Sequence, residues 1–144
     1  MAEESHLINM HTCHYLVFRC MDFRLKPSVL SGLLKDTGVE EGDYDMVSCA
    51  GSAKDLLGSE AERDFLLKQI TLSQKLHQTK NVVVLYHDNC GAYGIANPIE
   101  EATTQQADLA KIKAIIAEQF PELIFTAYII KGVPEGELLL KKII

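Results

Sequence analysis

Four short, largely apolar runs restrict this chain more than any other feature. They are Tyr15-Leu16-Val17-Phe18, Asp45-Met46-Val47-Ser48-Cys49, Asn81-Val82-Val83-Val84-Leu85-Tyr86 and Leu123 to Ile130. They are continuous instead of alternating, the pattern of strands covered on both faces. Helical patterns fall between them. Pro27 sits in the first turn of one, with Gly38 beyond its end. Ser59 and Glu62 form a capping box that starts a second, running to about Thr79, with Phe65, Leu66, Gln69, Ile70, Ser73 and Leu76 on one face. Asn97-Pro98 opens a third, in which Leu109, Ile112, Ile115 and Ile116 recur at helical spacing up to Gln119, and Pro121 prevents continuation. Strand and helix therefore alternate along one domain spanning residues 1–144. The expected class is α/β, a parallel four-stranded sheet flanked by helices. Gly132 to Gly136 reads as a turn, and Glu137 to Ile144 as a returning antiparallel fifth strand, although a short amphipathic helix also fits.

Charge and length narrow the function classes. The 144 residues carry 14 basic and 20 acidic side chains, a formal charge of −6. A field of that sign repels phosphate backbones and anionic lipid, so no nucleic-acid or membrane partner is expected. No apolar run approaches a membrane span. The opening Met1-Ala2-Glu3-Glu4 has acids where a signal peptide has bases, which leads to a cytoplasmic expectation. In that compartment the four cysteines point to packing, metal binding or catalysis and not to two disulfides.

The residues with chemistry to offer cluster at two strand ends. The first strand runs into Arg19-Cys20-Met21-Asp22-Phe23-Arg24, and the third into His87-Asp88-Asn89-Cys90-Gly91. Both stand at carboxyl ends, where open α/β sheets bind ligands. Cys20, His87 and Cys90 are three ligands suited to zinc. To share one ion, strands one and three must be neighbours, with strand two beyond strand one, giving the order 2-1-3-4. Asp22 and Arg24 follow Cys20 at alternate positions and share its side of an extended segment. Taken singly, a cysteine ending an apolar strand is more often core, and an Asp-x-Arg pair more often a surface ion pair. The combination at two strand ends is a far stronger signal than either part, and on spacing alone it leaves the shared ion and these ordinary readings evenly balanced.

Cys20-Met21-Asp22-Phe23-Arg24 and His87-Asp88-Asn89-Cys90-Gly91 resemble the paired signatures of the β-class carbonic anhydrases, C-x-D-x-R and H-x-x-C-G. Ala50-Gly51 resembles that family's A-G loop. The resemblance implies Zn2+ held by Cys20, His87 and Cys90, and a catalytic Asp22–Arg24 dyad. Asp22 would either ligate zinc, closing the site, or turn to Arg24 and leave room for water. It implies reversible hydration of carbon dioxide to bicarbonate by zinc-activated hydroxide, with no organic cofactor. The alternatives are hydrolysis of carbonyl sulfide or carbon disulfide on the same scaffold, and a non-catalytic zinc protein whose site is closed by Asp22 as a fourth ligand beside the two cysteines and the histidine. The family's sheet has an antiparallel fifth strand and usually forms an intimate dimer. Leu138-Leu139-Leu140 and Ile143-Ile144 offer more apolar surface than an edge strand needs to bury, so a homodimer or higher homo-oligomer is expected.

Three departures from the family pattern stand out. The segment before Tyr15 is too short for the family's long helical arm. Residues 25–44 contain no Gln to contact bicarbonate across a dimer, and Cys49-Ala50-Gly51-Ser52 stands where many members read N-A-G-N. Other motifs fall away. Cys13 and Arg19 have C-x5-R spacing, but the intervening residues are bulky and free of Gly. Gly91-Ala92-Tyr93-Gly94 lacks the third Gly of a dinucleotide loop and the Lys of a Walker motif. Cys13 and Cys49 read as small buried hydrophobes, and His77 as a residue favoured by a helix dipole. His6, His11 and His14 read as solvated, any one of them a candidate proton shuttle.

Overall fold

The computed structural model describes residues 11–144. The expectation of a short or missing amino-terminal arm, and His6, fall outside the described residues. The chain runs β1 (Tyr15–Cys20), α1 (Pro27–Asp36), β2 (Tyr44–Cys49), a 3-10 turn (Lys54–Leu57), α2 (Glu60–His77), β3 (Asn81–His87), α3 (Pro98–Gln119), β4 (Ile124–Lys131) and β5 (Leu139–Lys142). One sheet has the order β2-β1-β3-β4-β5. Its first four strands are parallel, and β5 returns antiparallel to β4, settling the tail as strand and not helix.

Burial follows position in the sheet. The central strands β1 and β3 are buried along almost their whole length, whereas the edge strand β2 is half-buried. Two apolar layers form on the two faces. One joins Leu16, Phe18, Val82 and Val84 to α2 and α3 through Leu66, Ile70, Leu109, Ile112 and Ile116. The other joins Val17, Val83 and Leu85 to α1 through Leu30 and Leu34. Each fully buried aliphatic side chain contributes roughly 1.5–3 kcal/mol of transfer free energy.

The caps act as expected. Ser59 and Glu62 exchange hydrogen bonds at the start of α2, and the Asn97 side chain accepts from the amides of Ile99 and Glu100 at the start of α3. The buried stripe of α2 is narrower than the pattern predicts. Leu66, Ile70 and Ser73 face the sheet, but Phe65 and Leu76 are exposed, because a helix against a small sheet buries only its central ridge. Cys13 and Cys49 are half-buried, which corrects the reading of both as buried core. The tail is also better covered than expected. Ile143 and Ile144 pack against one apolar layer and Leu138 and Leu140 against the other, leaving Leu139 exposed.

The turn between β4 and β5 depends on Gly132. Its φ is +87°, and a Cβ there would overlap the Glu137 carbonyl oxygen. Gly136 has φ +76° but open space around it. Gly132→Ala should therefore lower stability by more than the roughly 1–3 kcal/mol of a strained backbone position, and by more than Gly136→Ala. Urea unfolding of the two variants checks this, and equal midpoints would contradict it.

Candidate metal centre

Parallel pairing of β1 with β3, from Tyr15 opposite Asn81 to Phe18 opposite Val84, brings the carboxyl ends of both strands to one edge. Cys20 ends β1, and His87 ends β3. Asn89 turns the chain with φ 53°, a left-handed conformation that Asn tolerates, and the turn swings Cys90 back toward them. All three residues are buried, and their donor atoms lie within 4.8 Å of one another. They form a group able to hold a metal ion.

The surroundings orient each donor. The Nδ1–H of His87 donates to the Asp88 carbonyl at 2.6 Å, which leaves Nε2 as the inward-facing atom. That Nε2 is fully buried and has no hydrogen-bond partner. A buried acceptor without a partner costs free energy unless a cation or water satisfies it. The two sulfurs add to this. The neighbouring Cys90 thiol lowers the Cys20 pKa, and the Cys20 sulfur raises that of Cys90. Burial opposes ionisation at both, and the Gly51 backbone supports the Cys20 thiolate. Burial also pushes His87 toward its neutral form, but the adjacent Cys20 sulfur and Asp88 carbonyl outweigh it and raise the pKa. Two sulfurs and an unpartnered imidazole nitrogen thus face one another where a cation would satisfy all three.

Asp22 and Arg24 stand beside this group. The Arg24 guanidinium donates to Asp22 Oδ2 at 2.7 Å and to Oδ1 at 3.1 Å, and the Arg24 amide donates to Oδ1 at 2.9 Å. These bonds hold the Asp22 carboxyl down to about 2. Asp22 Oδ2 is 3.7 Å from His87 Nε2, so the carboxylate borders the donors while committed to Arg24. Arg24 is fixed in turn by Asn89, through its side-chain oxygen at 2.8 Å and its carbonyl at 2.9 Å. The dyad is thereby tied to the loop that carries Cys90.

Three residues support the centre, and the sequence reading assigned Glu101 and Gln105 no part in it. Glu101 is buried in the first turn of α3 and accepts from the amides of Asn89 and Cys90 at 2.7 and 2.8 Å. Gln105, one turn on, donates to the His87 carbonyl at 2.8 Å. Asp88 accepts from the amides of Gly132 and Val133, both at 3.0 Å, and ties the donor loop to the turn after β4. The sequence signal for the first two is their periodicity. Glu101 and Gln105 continue the stripe of Leu109, Ile112 and Ile116 toward the amino end of α3, where a polar residue on a buried face needs a partner.

The centre opens on a cleft of about 780 Å³, lined in part by Met21, Asp22, Phe23, Arg24, Ile95 and Ala96. Gly51 stands near the site with φ +76°, where a Cβ would press on Lys54 and Ala92 at 3.1–3.2 Å. His14 does not reach the centre, because it pairs with Asp43 at 2.8 Å.

Residues 10–133 match a family model described as "Putative carbonic anhydrase". An uncharacterized protein of Rickettsia conorii is 32% identical over 131 residues, covering 85% of this chain and 69% of that protein. One from Rickettsia bellii is 30% identical over 131 residues, covering 85% and 79%. Among solved structures, the carbonic anhydrase from Glaciozyma antarctica superposes with a TM-score of 0.56 at 20% identity, over 96% of this chain and 93% of that one. A tetrameric β-carbonic anhydrase from Sordaria macrospora gives 0.57 at 12% identity, over 96% and 89%. At these identities the structural matches establish the shared fold.

Cys20→Ser, His87→Ala and Cys90→Ser should each lower bound metal by about one ion per chain, the stoichiometry of a three-ligand site. Cys49→Ser should leave it unchanged. Elemental analysis of the purified variants is the check, and full retention in Cys20→Ser or Cys90→Ser would refute the assignment.

Proposed function

The chain belongs to the carbonic anhydrase family matched over residues 10–133, and on that premise we propose that it interconverts carbon dioxide and bicarbonate with a zinc ion held by Cys20, His87 and Cys90. The observation that carries this reading is the set of three buried donors within 4.8 Å, bordered by an Asp22 carboxylate that Arg24 holds to one side. The donors fit zinc, since two thiolates and an imidazole select a borderline-soft cation over magnesium or calcium. When bound, zinc acidifies water into a nucleophile, and two anionic sulfur donors make that acidification weaker than at a three-histidine site.

The chain's own residues would do the rest. Asp22, ionised across the neutral range, accepts a hydrogen bond from the attacking water and directs its lone pair toward the carbon. Arg24, bonded to both carboxylate oxygens, would keep Asp22 from joining the three donors as a fourth. Phe23, Met21, Ile95 and Ala96 offer an apolar wall to a small uncharged substrate. Glu101 and Gln105 keep His87 and Cys90 in place. The protein would act as one domain in the cytoplasm, where its four thiols stay reduced.

A homo-oligomer is part of this reading, on a different ground from the tail. Phe23 is 88% exposed, Met21 63% and Ile99 79%. The first two line the cleft itself, so a second copy packed there would bury them and narrow its mouth. Light scattering should give at least twice the monomer mass at micromolar concentration. A 16.0 kDa species alone would count against it.

Mechanism and metal are tested separately. Arg24→Ala and Asp22→Asn should keep the metal yet lose roughly 10- to 100-fold in hydration rate, the usual cost of removing a group that orients a metal site. Activity of the parent should rise toward alkaline pH. Because the Asp22 carboxyl is held to about 2, its ionisation is complete well below neutrality and adds no inflection there. Parent-like rates in either variant at every pH would dismiss the dyad role. Zinc-loaded protein that hydrates no carbon dioxide but hydrolyses carbonyl sulfide or carbon disulfide would transfer the same site to the sulfur analogues. Inactivity on all of these would favour a closed four-ligand site.

A further inference from the structure

A second group of metal-type donors stands at the opposite end of the sheet. Cys13 precedes β1, Asp45 is near the start of β2 and His77 ends α2. Their donor atoms all lie within 4.8 Å of one another. Cys13 and Cys20 are separated by the length of β1, roughly 20 Å of extended chain, so the two groups cannot share an ion. We propose that Cys13, Asp45 and His77, with His11 as the fourth donor, form a second zinc site.

Backbone and side-chain bonds already assemble the donors. The Cys13 amide donates to the His77 carbonyl at 3.0 Å, which clamps the two residues together. His77 Nδ1 donates to Asp45 Oδ2 at 2.7 Å. The His11 ring meets that of His77 edge-on, with centroids 4.8 Å apart. Residues around the donors orient them as outer partners do in metal sites. Ser73 Oγ donates to Asp45 Oδ2 at 2.8 Å. Thr79 Oγ1 lies 2.7 Å from Ser73 Oγ and 3.8 Å from Cys13 Sγ. His11, Cys13, Asp45 and His77 line a common hollow of about 160 Å³, large enough for an ion.

The donor chemistry names the ion class. One thiolate and one carboxylate neutralise a divalent charge, and the imidazoles with the thiolate favour zinc over hard cations. Ligands of a tetrahedral zinc site stand roughly 3.3–3.8 Å apart. Cys13, Asp45 and His77 need to move only about an ångström or less to meet that spacing, and the His11 ring, edge-on against His77, would turn a nitrogen toward them. On binding, the Cys13 thiol releases its proton to buffer, the His77 imidazole stays neutral as its Nδ1 proton passes through solvent to Nε2, and metal bonds replace the His77–Asp45 hydrogen bond. Four protein ligands leave no open position, so the site is structural. It would join the amino end of β1, the edge strand β2 and the carboxyl end of α2.

Metal stoichiometry tests the site apart from activity. Protein equilibrated with zinc and freed of excess should carry a second ion per chain, and Cys13→Ser should lose that ion while keeping its carbon dioxide hydration rate. Asp45→Asn, which retains a hydrogen-bond acceptor for His77, should weaken zinc binding at this end at least tenfold. In a Cys20→Ser/Cys90→Ser background, cobalt substitution should still give a thiolate-to-metal charge-transfer band, and adding Cys13→Ser should abolish it. Equal zinc content in the parent and Cys13→Ser would overturn the proposal, whatever the parent's activity. A cobalt–thiolate band that survives Cys13→Ser would overturn it too.

Discussion

Hydrogen bonding between β1 and β3, neighbours in space but separated in sequence by β2, is the constraint on which the rest depends. It places two apolar strands in parallel with their carboxyl ends at one edge, and no shorter route could bring Cys20 to His87. The crossover through β2 and α2 is the ordinary cost of parallel pairing, and it also leaves a crevice where the strand order reverses. The metal-type donors occupy that crevice. The apolar layers on the two faces hold β1 and β3 fixed, so the packing that stabilises the sheet also sets the spacing of the donors.

Around the donors the chain invests in polar contacts that a core would not otherwise retain. Glu101 is buried in the first turn of α3, where its two carboxylate oxygens accept from the amides of Asn89 and Cys90. Arg24 bridges Asp22 to Asn89, and Gln105 fixes the carbonyl of His87. Each of these groups acts through another residue. Together they convert the turn from His87 to Cys90 from a mobile connection into a rigid part of the centre.

Much of the architecture was legible in the sequence because it rests on period and punctuation. Continuous apolar runs marked β1, β3 and β4, and Ser59, Asn97 and Pro98 marked the helix starts. The strand order followed from requiring Cys20 and His87 to meet. The less legible parts were matters of exposure and long-range pairing. Nothing local distinguishes Phe65, left in solvent, from Leu66, one residue away and buried. The tail's covering by both apolar layers depends on the direction in which Gly132 turns the chain. Cys13 resembled a small core residue, and His77 a favourable helix ending. Their meeting with Asp45 needed the sheet to be assembled first.

The carboxylate of Asp88 reaches from the metal-donor loop to the amides of Gly132 and Val133, where β4 gives way to β5. The two ends of that contact are linked thermodynamically. An ion that immobilised the loop would also raise the free energy needed to open the carboxyl-terminal ribbon, and by reciprocity an intact ribbon would tighten the loop's hold on that ion by the same amount. Amide hydrogen exchange at the tail would thus register whether the centre holds an ion, making β5 a reporter of occupancy as well as the edge of a sheet.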